Sequence, residues 1–79
     1  MTIKQIETQI AKTIAKETGA TVDITCRTAE AWTISGSDAD ARKAAAYMQT
    51  NGLMVTDEIA HDEELGETFC YMTARRIAA

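Results

Sequence analysis

The sequence predicts an α+β fold, a two-layer sandwich with the element order αββαββ and both helices on one face of a four-stranded antiparallel sheet. Two segments repeat apolar residues at three- and four-residue steps, as amphipathic helices do, and others alternate apolar with polar residues, as half-buried strands do. The length of 79 residues fits one domain, 1–79, with a thin core. Elements with one apolar face each close most simply as two layers, which leaves the other face of the sheet open.

The first helix is expected over Ile3–Thr18. Thr2 and Gln5 have the spacing of a capping box, and Gly19 supplies the left-handed residue that ends many helices. Four isoleucines form its apolar stripe: Ile3, Ile6, Ile10 and Ile14. This stripe predicts an amphipathic helix.

Two strands follow in the segments 21–28 and 31–36, joined by a loop short enough for a hairpin. In the first strand, Val22, Ile24 and Cys26 share one face. In the second strand, Trp32 and Ile34 are expected to point inward. The two strands should therefore pair antiparallel.

A second helix is expected from Ser37, which is placed to cap it, to Asn51-Gly52. Asp38 and Asp40 suit the positive end of the helix dipole. Its apolar stripe is mostly alanine: Ala41, Ala44, Ala45 and Met48. Alanine lets a helix approach a sheet closely while it buries little area per residue.

The remaining chain is interpreted as a longer hairpin, with a strand near 53–61, an acidic turn ending at Gly66, and a strand near 68–77. The helical offsets of apolar residues in 55–65 leave a short third helix as the alternative. In the last strand, Phe69 and Tyr71 are expected to pack inward, because buried aromatic rings supply much of a small core. The alternative is an outward aromatic platform that stacks unpaired bases or partner side chains.

Composition limits the functional classes. A formal net charge of −4 and a pI near 4.8 disfavour non-specific binding to nucleic acid and favour a basic partner. No apolar run approaches the ~18 residues of a membrane span, and the N-terminus lacks the apolar block of a signal peptide, so a cytoplasmic protein is expected. Cys26 and Cys70 are expected to be free thiols in a reducing compartment.

No arrangement in the sequence indicates catalysis or a bound cofactor. His61 is the only histidine, and no Ser or Cys beside it forms the pair that nucleophilic catalysis needs. The four glycines are dispersed at element boundaries, which argues against a phosphate-binding loop. Because the spacings of zinc and calcium sites are also missing, no metal and no enzymatic activity are predicted.

The segment "DEIAHDEELGET", residues 57–68, is the strongest candidate for a site, since its acids have no lysine or arginine among them. The predicted partner-binding residues are Asp57, Glu58, Asp62, Glu63, Glu64 and Glu67. The expected function is a small acidic, non-enzymatic protein-binding module, such as a phage-encoded inhibitor of a host nucleoprotein complex that occupies a basic nucleic-acid-binding surface, as anti-CRISPR proteins can. Exposed acids contribute little to folding, so reversing Asp62, Glu63, Glu64 and Glu67 should leave the fold stable.

Three alternatives stay open. The acidic segment can be a solvated turn whose charges keep the hairpin from pairing with other chains. A nucleic-acid-binding domain would use the basic residues of the helices and the last strand, which are Lys4, Lys12, Lys16, Arg42, Lys43, Arg75 and Arg76. A self-associating structural module would be a homodimer rather than a monomer, formed through the open sheet face or a free edge strand.

Overall fold

The structure is a computed structural model that describes residues 2–28, 30–52 and 54–74. The predicted α+β fold with the order αββαββ is confirmed. The elements are α1 (Ile3–Thr18), β1 (Val22–Cys26), β2 (Ala31–Gly36), α2 (Asp38–Thr50), β3 (Met54–Asp62) and β4 (Glu67–Ala74). The expected extension of the last strand to residue 77, together with Leu53, Arg75 and Arg76, lies outside the described residues.

Helix α1 begins and ends at the predicted residues. Thr2 accepts a hydrogen bond from the Gln5 N–H at 3.1 Å, the Thr2 N–H donates to the Gln5 side chain at 2.8 Å, and Gly19 has a φ of +78°. The isoleucine stripe, however, is buried only toward its C-terminal end. Ile14 is 0% exposed, whereas Ile3 is 64% exposed, because α1 packs mainly on β1 and its first turns extend past the core.

Helix α2 lies over the middle of the sheet and contacts all four strands as well as α1. It begins after Ser37, whose hydroxyl accepts the Asp40 N–H at 3.3 Å. All four residues of the alanine-rich stripe are buried. Their small side chains let α2 approach closely enough for the Cys70 thiol on β4 to donate to the carbonyl of Ala41 at 3.6 Å.

The strand order is β1-β2-β4-β3, and every pairing is antiparallel. The two hairpins, β1–β2 and β3–β4, meet through the central strands β2 and β4. Residues 54–62 form a strand, so the strand interpretation is confirmed and the third helix is wrong. Both helices lie on one face of this sheet, and the core between the layers includes Ile14, Ile24, Ile34 and Met72.

A β-bulge interrupts β3. The register changes between Thr56, which pairs with Met72, and Glu58, which pairs with Tyr71, so Asp57 is an extra residue on this strand. Residues opposite each other in an antiparallel pair share a face of the sheet. The bulge thus places Glu58 on the open face and Ile59 on the helix-facing side.

The predicted direction of the aromatic residues in β4 is wrong. Thr68, Cys70 and Met72 are buried under the helices, whereas Phe69 and Tyr71 alternate with them and lie half-buried on the open face. The reason is the close approach of α2, because its alanines leave room over β4 for a thiol and a thioether rather than for two rings. The open face is consequently more aromatic than expected.

Candidate protein-binding site

The acidic segment forms the far end of the β3–β4 hairpin. Its turn lies at the end of the sheet opposite the β1–β2 loop, since the first residues of β4 pair with the last residues of β2. Glu63 and Glu64 occupy the turn and are exposed. These two carboxylates are therefore accessible to a partner.

Asp62 has a structural role in the turn. Its Oδ1 accepts the backbone N–H of Glu64 at 3.0 Å and that of Leu65 at 3.1 Å, which closes the turn before Gly66 at a φ of +66°. Asp62 is also half-buried. Reversal of Asp62 is therefore expected to weaken the turn, unlike reversal of the exposed Glu63 and Glu64.

The six predicted binding residues do not form one cluster. Glu67 is half-buried and pairs with Asp62 at the base of the turn, while Glu58 is exposed on the open face opposite Tyr71. Asp57 is exposed at the bulge. Glu58 and Asp62 are four residue steps apart along the extended strand, which is about 13 Å. The acids thus follow one edge strand and its turn.

The negative charge of this hairpin is not compensated locally. Within residues 2–28, 30–52 and 54–74, the only ion pair joins Arg42 to Asp38, with Nε and Oδ1 2.9 Å apart. None of the six carboxylates has a cationic partner within this part of the chain. A cationic group from another molecule would therefore displace no ion pair that the described residues form.

Next to these acids lies a shallow depression on the open face, with a volume of about 540 Å³, which we call the aromatic cleft. It is lined by Ala60, His61, Asp62, Glu63, Glu64, Phe69 and Tyr71. Ala60 pairs with Phe69 across the strands, and its methyl side chain leaves space beside the ring. The signal in the sequence was the alternation in "TFCYMT", which fits either direction of the aromatic rings.

A chain of side-chain hydrogen bonds joins the hairpin to the first turn of α2. The Thr68 hydroxyl, 0% exposed, donates to Asp38 Oδ1 at 2.9 Å, and His61 Nδ1 lies 2.7 Å from the Thr68 oxygen. Because the single hydroxyl proton is directed at Asp38, Nδ1 of His61 must be the donor. Hydrogen bonds from Arg42 and then Thr68 hold the pKa of Asp38 below its ordinary value of 3.8.

This arrangement brings a histidine, a hydroxyl and a carboxylate together without activating a nucleophile. An attacking threonine would have to give its proton to His61, whereas here the proton points to Asp38 and the oxygen is buried. The network therefore fixes the hairpin on α2. Across the described ranges, no group of three or more Cys, His, Asp and Glu side chains is arranged to hold a metal ion.

Both cysteines are free thiols on the helix-facing side of the sheet. Burial raises the pKa of both thiols, and the nearby Glu7 raises that of Cys26 further. Each is thus predominantly protonated at neutral pH. Among the described residues, no helix is both long enough and apolar enough to cross a membrane.

Comparison of the chain with models of protein families, with curated proteins and with solved structures gives no match.

Proposed function

We propose that this chain is a small acidic, non-enzymatic protein-binding module that binds a basic partner through the β3–β4 hairpin. The observation that carries the proposal is the concentration of exposed carboxylates on one strand and its turn, none of which forms an ion pair within the described residues. Among them, Glu58, Glu63 and Glu64 are exposed and make no hydrogen bond that the fold needs. Their charges are available to lysine and arginine residues of another protein.

A basic surface that accepts such a hairpin is typically one that binds nucleic acid, because phosphates and carboxylates attract the same side chains. The proposal thus extends to an inhibitor of a nucleoprotein complex, comparable in mode of action to a phage-encoded anti-CRISPR protein. Small size, negative charge and the absence of an activated nucleophile around His61 support this extension. Its expected site of action is the cytoplasm.

Direct binding to nucleic acid is the less favoured alternative. Lys4, Lys12 and Lys16 are exposed on α1, but Lys4 and Lys12 line a groove that also contains Glu7 and Asp23. These acids weaken the attraction of the groove for phosphates. Gel-shift titrations with single-stranded RNA and duplex DNA at low salt test the alternative, and tight, salt-sensitive binding would favour it.

Self-association is the second alternative, and one surface favours it. Ile3, Ile6, Cys26 and Trp32 help to line an apolar cavity of about 340 Å³ at the start of α1. The edge strands oppose it, since Glu7 accepts the N–H of Cys26 at 2.6 Å and Gln49 accepts that of Thr56 at 2.8 Å. Light scattering across a concentration series distinguishes a monomer from a dimer.

Affinity capture with a matched pair of charge reversals tests the main proposal. The double variant Glu63→Lys, Glu64→Lys brings the formal net charge from −4 to 0, and Glu17→Lys, Glu30→Lys makes the same change at exposed positions away from the hairpin turn. The captured partner should be a basic protein whose bound fluorescent oligonucleotide is displaced by the wild-type chain. We expect the hairpin variant to lose capture and displacement, and the control variant to retain both.

Equal binding by the two variants would show that the hairpin is not the interface. Equal loss would mean that net charge alone determines binding. Circular dichroism and thermal melting of both variants verify that the fold is intact, since neither pair of side chains makes a hydrogen bond within the described residues.

A further inference from the structure

The open face of the sheet carries two aromatic rings that the helices do not cover. Phe69 and Tyr71 are alternate residues of β4, so their side chains leave the same face about 7 Å apart. The residues opposite them on β3 are Ala60 and Glu58, one small and one acidic. The rings therefore form an accessible apolar floor with carboxylates along its border.

One arginine of the chain already uses this floor. The guanidinium carbon of Arg27, from the end of β1, lies 5.4 Å from the centroid of the Tyr71 ring, which is within the range of a cation–π interaction. Arg27 is exposed and has no carboxylate partner among the described residues. Its position against the ring shows that the open face accepts a guanidinium.

The aromatic cleft next to this contact combines ring faces with anionic groups. Glu63 and Glu64 border the same depression as Phe69 and Tyr71. Asp62 borders it too, but its Oδ1 accepts the N–H groups of Glu64 and Leu65, so it stabilises the turn rather than serving as a primary ligand. A cation in the cleft would meet an aromatic surface below and carboxylates at its side.

We propose that the aromatic cleft receives an arginine side chain of the partner, with the guanidinium plane against Phe69 and Tyr71 and its N–H groups donated to Glu63 and Glu64. This inference rests on the proposed function and specifies the residue that the hairpin recognises. Arginine fits better than lysine because its guanidinium is planar, weakly hydrated and able to donate two parallel hydrogen bonds to a carboxylate. The negative charge of the hairpin selects a cation, and the rings select the guanidinium.

Titration with two capped peptides of equal length, one of arginine and one of lysine, tests the inference. We expect the wild-type chain to bind the arginine peptide about tenfold more tightly, which corresponds to the strength of a partly desolvated cation–π contact. Phe69→Leu and Tyr71→Leu should each reduce this ratio toward one while lysine-peptide affinity stays nearly constant. Tyr47→Leu, on α2 and away from the cleft, should retain the full ratio.

NMR spectroscopy of the wild-type chain tests the inference without any substitution. The chain has four aromatic residues, so the ring signals of Phe69 and Tyr71 are separable from those of Tyr47 and Trp32. The arginine peptide should shift the first two and leave the others unchanged. Equal affinity for both peptides, or no shift of the Phe69 and Tyr71 signals, would overturn the arginine inference and leave the acidic interface standing.

Removal of the two glutamate charges distinguishes the general attraction for cations from the preference for arginine. Glu63→Gln with Glu64→Gln should lower affinity for both peptides, because it removes the attraction on which either cation depends. If the wild-type chain binds neither peptide, the arginine inference fails, and the capture experiment decides the fate of the acidic interface independently.

Discussion

The two hairpins of this chain are built from the same pattern but differ in what lies around them. In β1–β2, the inward residues Ile24 and Ile34 are buried beneath the helices. In β3–β4, Ile59 faces the same side and pairs with buried Cys70, yet it is 38% exposed because the helices do not cover that part of the edge strand. Alternation of apolar residues therefore indicates a face of the sheet, whereas its burial depends on the helix above.

The two hairpins also differ in the sign of the charges that they carry. The segment 22–36 contains both signs, Asp23 and Glu30 with Arg27, whereas 54–74 contains six acids and no lysine or arginine. The better covered hairpin carries mixed charge, and the less covered one carries charge of a single sign. Both hairpins contribute to the core, the first through Ile24 and Ile34 and the second through Cys70 and Met72, but only the second presents the candidate interface.

The largest expected effect compares one isoleucine from each hairpin. Ile34→Ala should lower the free energy of unfolding by about 2–5 kcal/mol, because it leaves a cavity at a site that is 0% exposed. Ile59→Ala should cost less than about 1 kcal/mol, since water already reaches that side chain. Urea unfolding followed by circular dichroism measures both. Similar losses would show that the two hairpins are covered alike.

The next effect concerns the turn of the second hairpin. Asp62→Ala removes the acceptor of two backbone N–H groups and should cost about 1 kcal/mol of unfolding free energy. Asp62→Asn keeps an oxygen at the same position and should cost only a few tenths of that. Thermal and urea unfolding of Asp62→Ala and Asp62→Asn distinguish the loss of the hydrogen-bond acceptor from the loss of the negative charge. Equal losses in both variants would assign the role of Asp62 to its charge.

The smallest effect is a pH dependence at the contact between the second hairpin and α2. The pKa of Asp38 is lowered in the folded chain, so its ionised form stabilises the fold. This contribution is complete above pH 3.8, the ordinary pKa of the group, and it is lost as the pH falls through the lower pKa of the folded chain. Asp38→Asn should therefore be less stable than wild type at neutral pH, with a difference that shrinks below pH 3.8. The effect is small because the carboxylate is half exposed.

Unfolding titrations across this pH range, with Asp23→Asn as an exposed control, measure that difference. A gap between Asp38→Asn and wild type that stays constant with pH would contradict the assigned hydrogen bonds. Added salt should reduce the contribution from Arg42 more than the contribution from the buried Thr68.

Local signals in the sequence predicted the helices well, because the capping residues directly precede or follow each helix in the sequence. Thr2 with Gln5, Gly19 and Ser37 act at the predicted positions. Which parts of each helix and strand are buried by neighbouring elements could not be predicted from such local signals. Nothing within "IKQI" indicates that α1 extends past the core at its first turns, since that depends on where β1 lies in the sheet.

In the candidate site, too, some features follow from neighbouring residues and others depend on distant elements. The acids could be found from composition, but the direction of Phe69 and Tyr71 depends on how closely the alanines of α2 approach β4. The hydrogen bond between Thr68 and Asp38 joins residues thirty positions apart, and no local pattern announces it. The role of Asp62 in the turn is the exception, since aspartate before a glycine-containing turn commonly bonds the following N–H groups.

The bulge at Asp57 has a consequence for how β3 tolerates changes in length. Because Asp57 has no counterpart on β4, a chain shortened by this one residue could pair continuously from Thr56 to Glu58, with every other side chain still directed as before. Loss of a residue at Ala60, by contrast, would exchange inside for outside in the last part of the strand. Within this strand, Asp57 is therefore the position where deletion of one residue disturbs the pairing least.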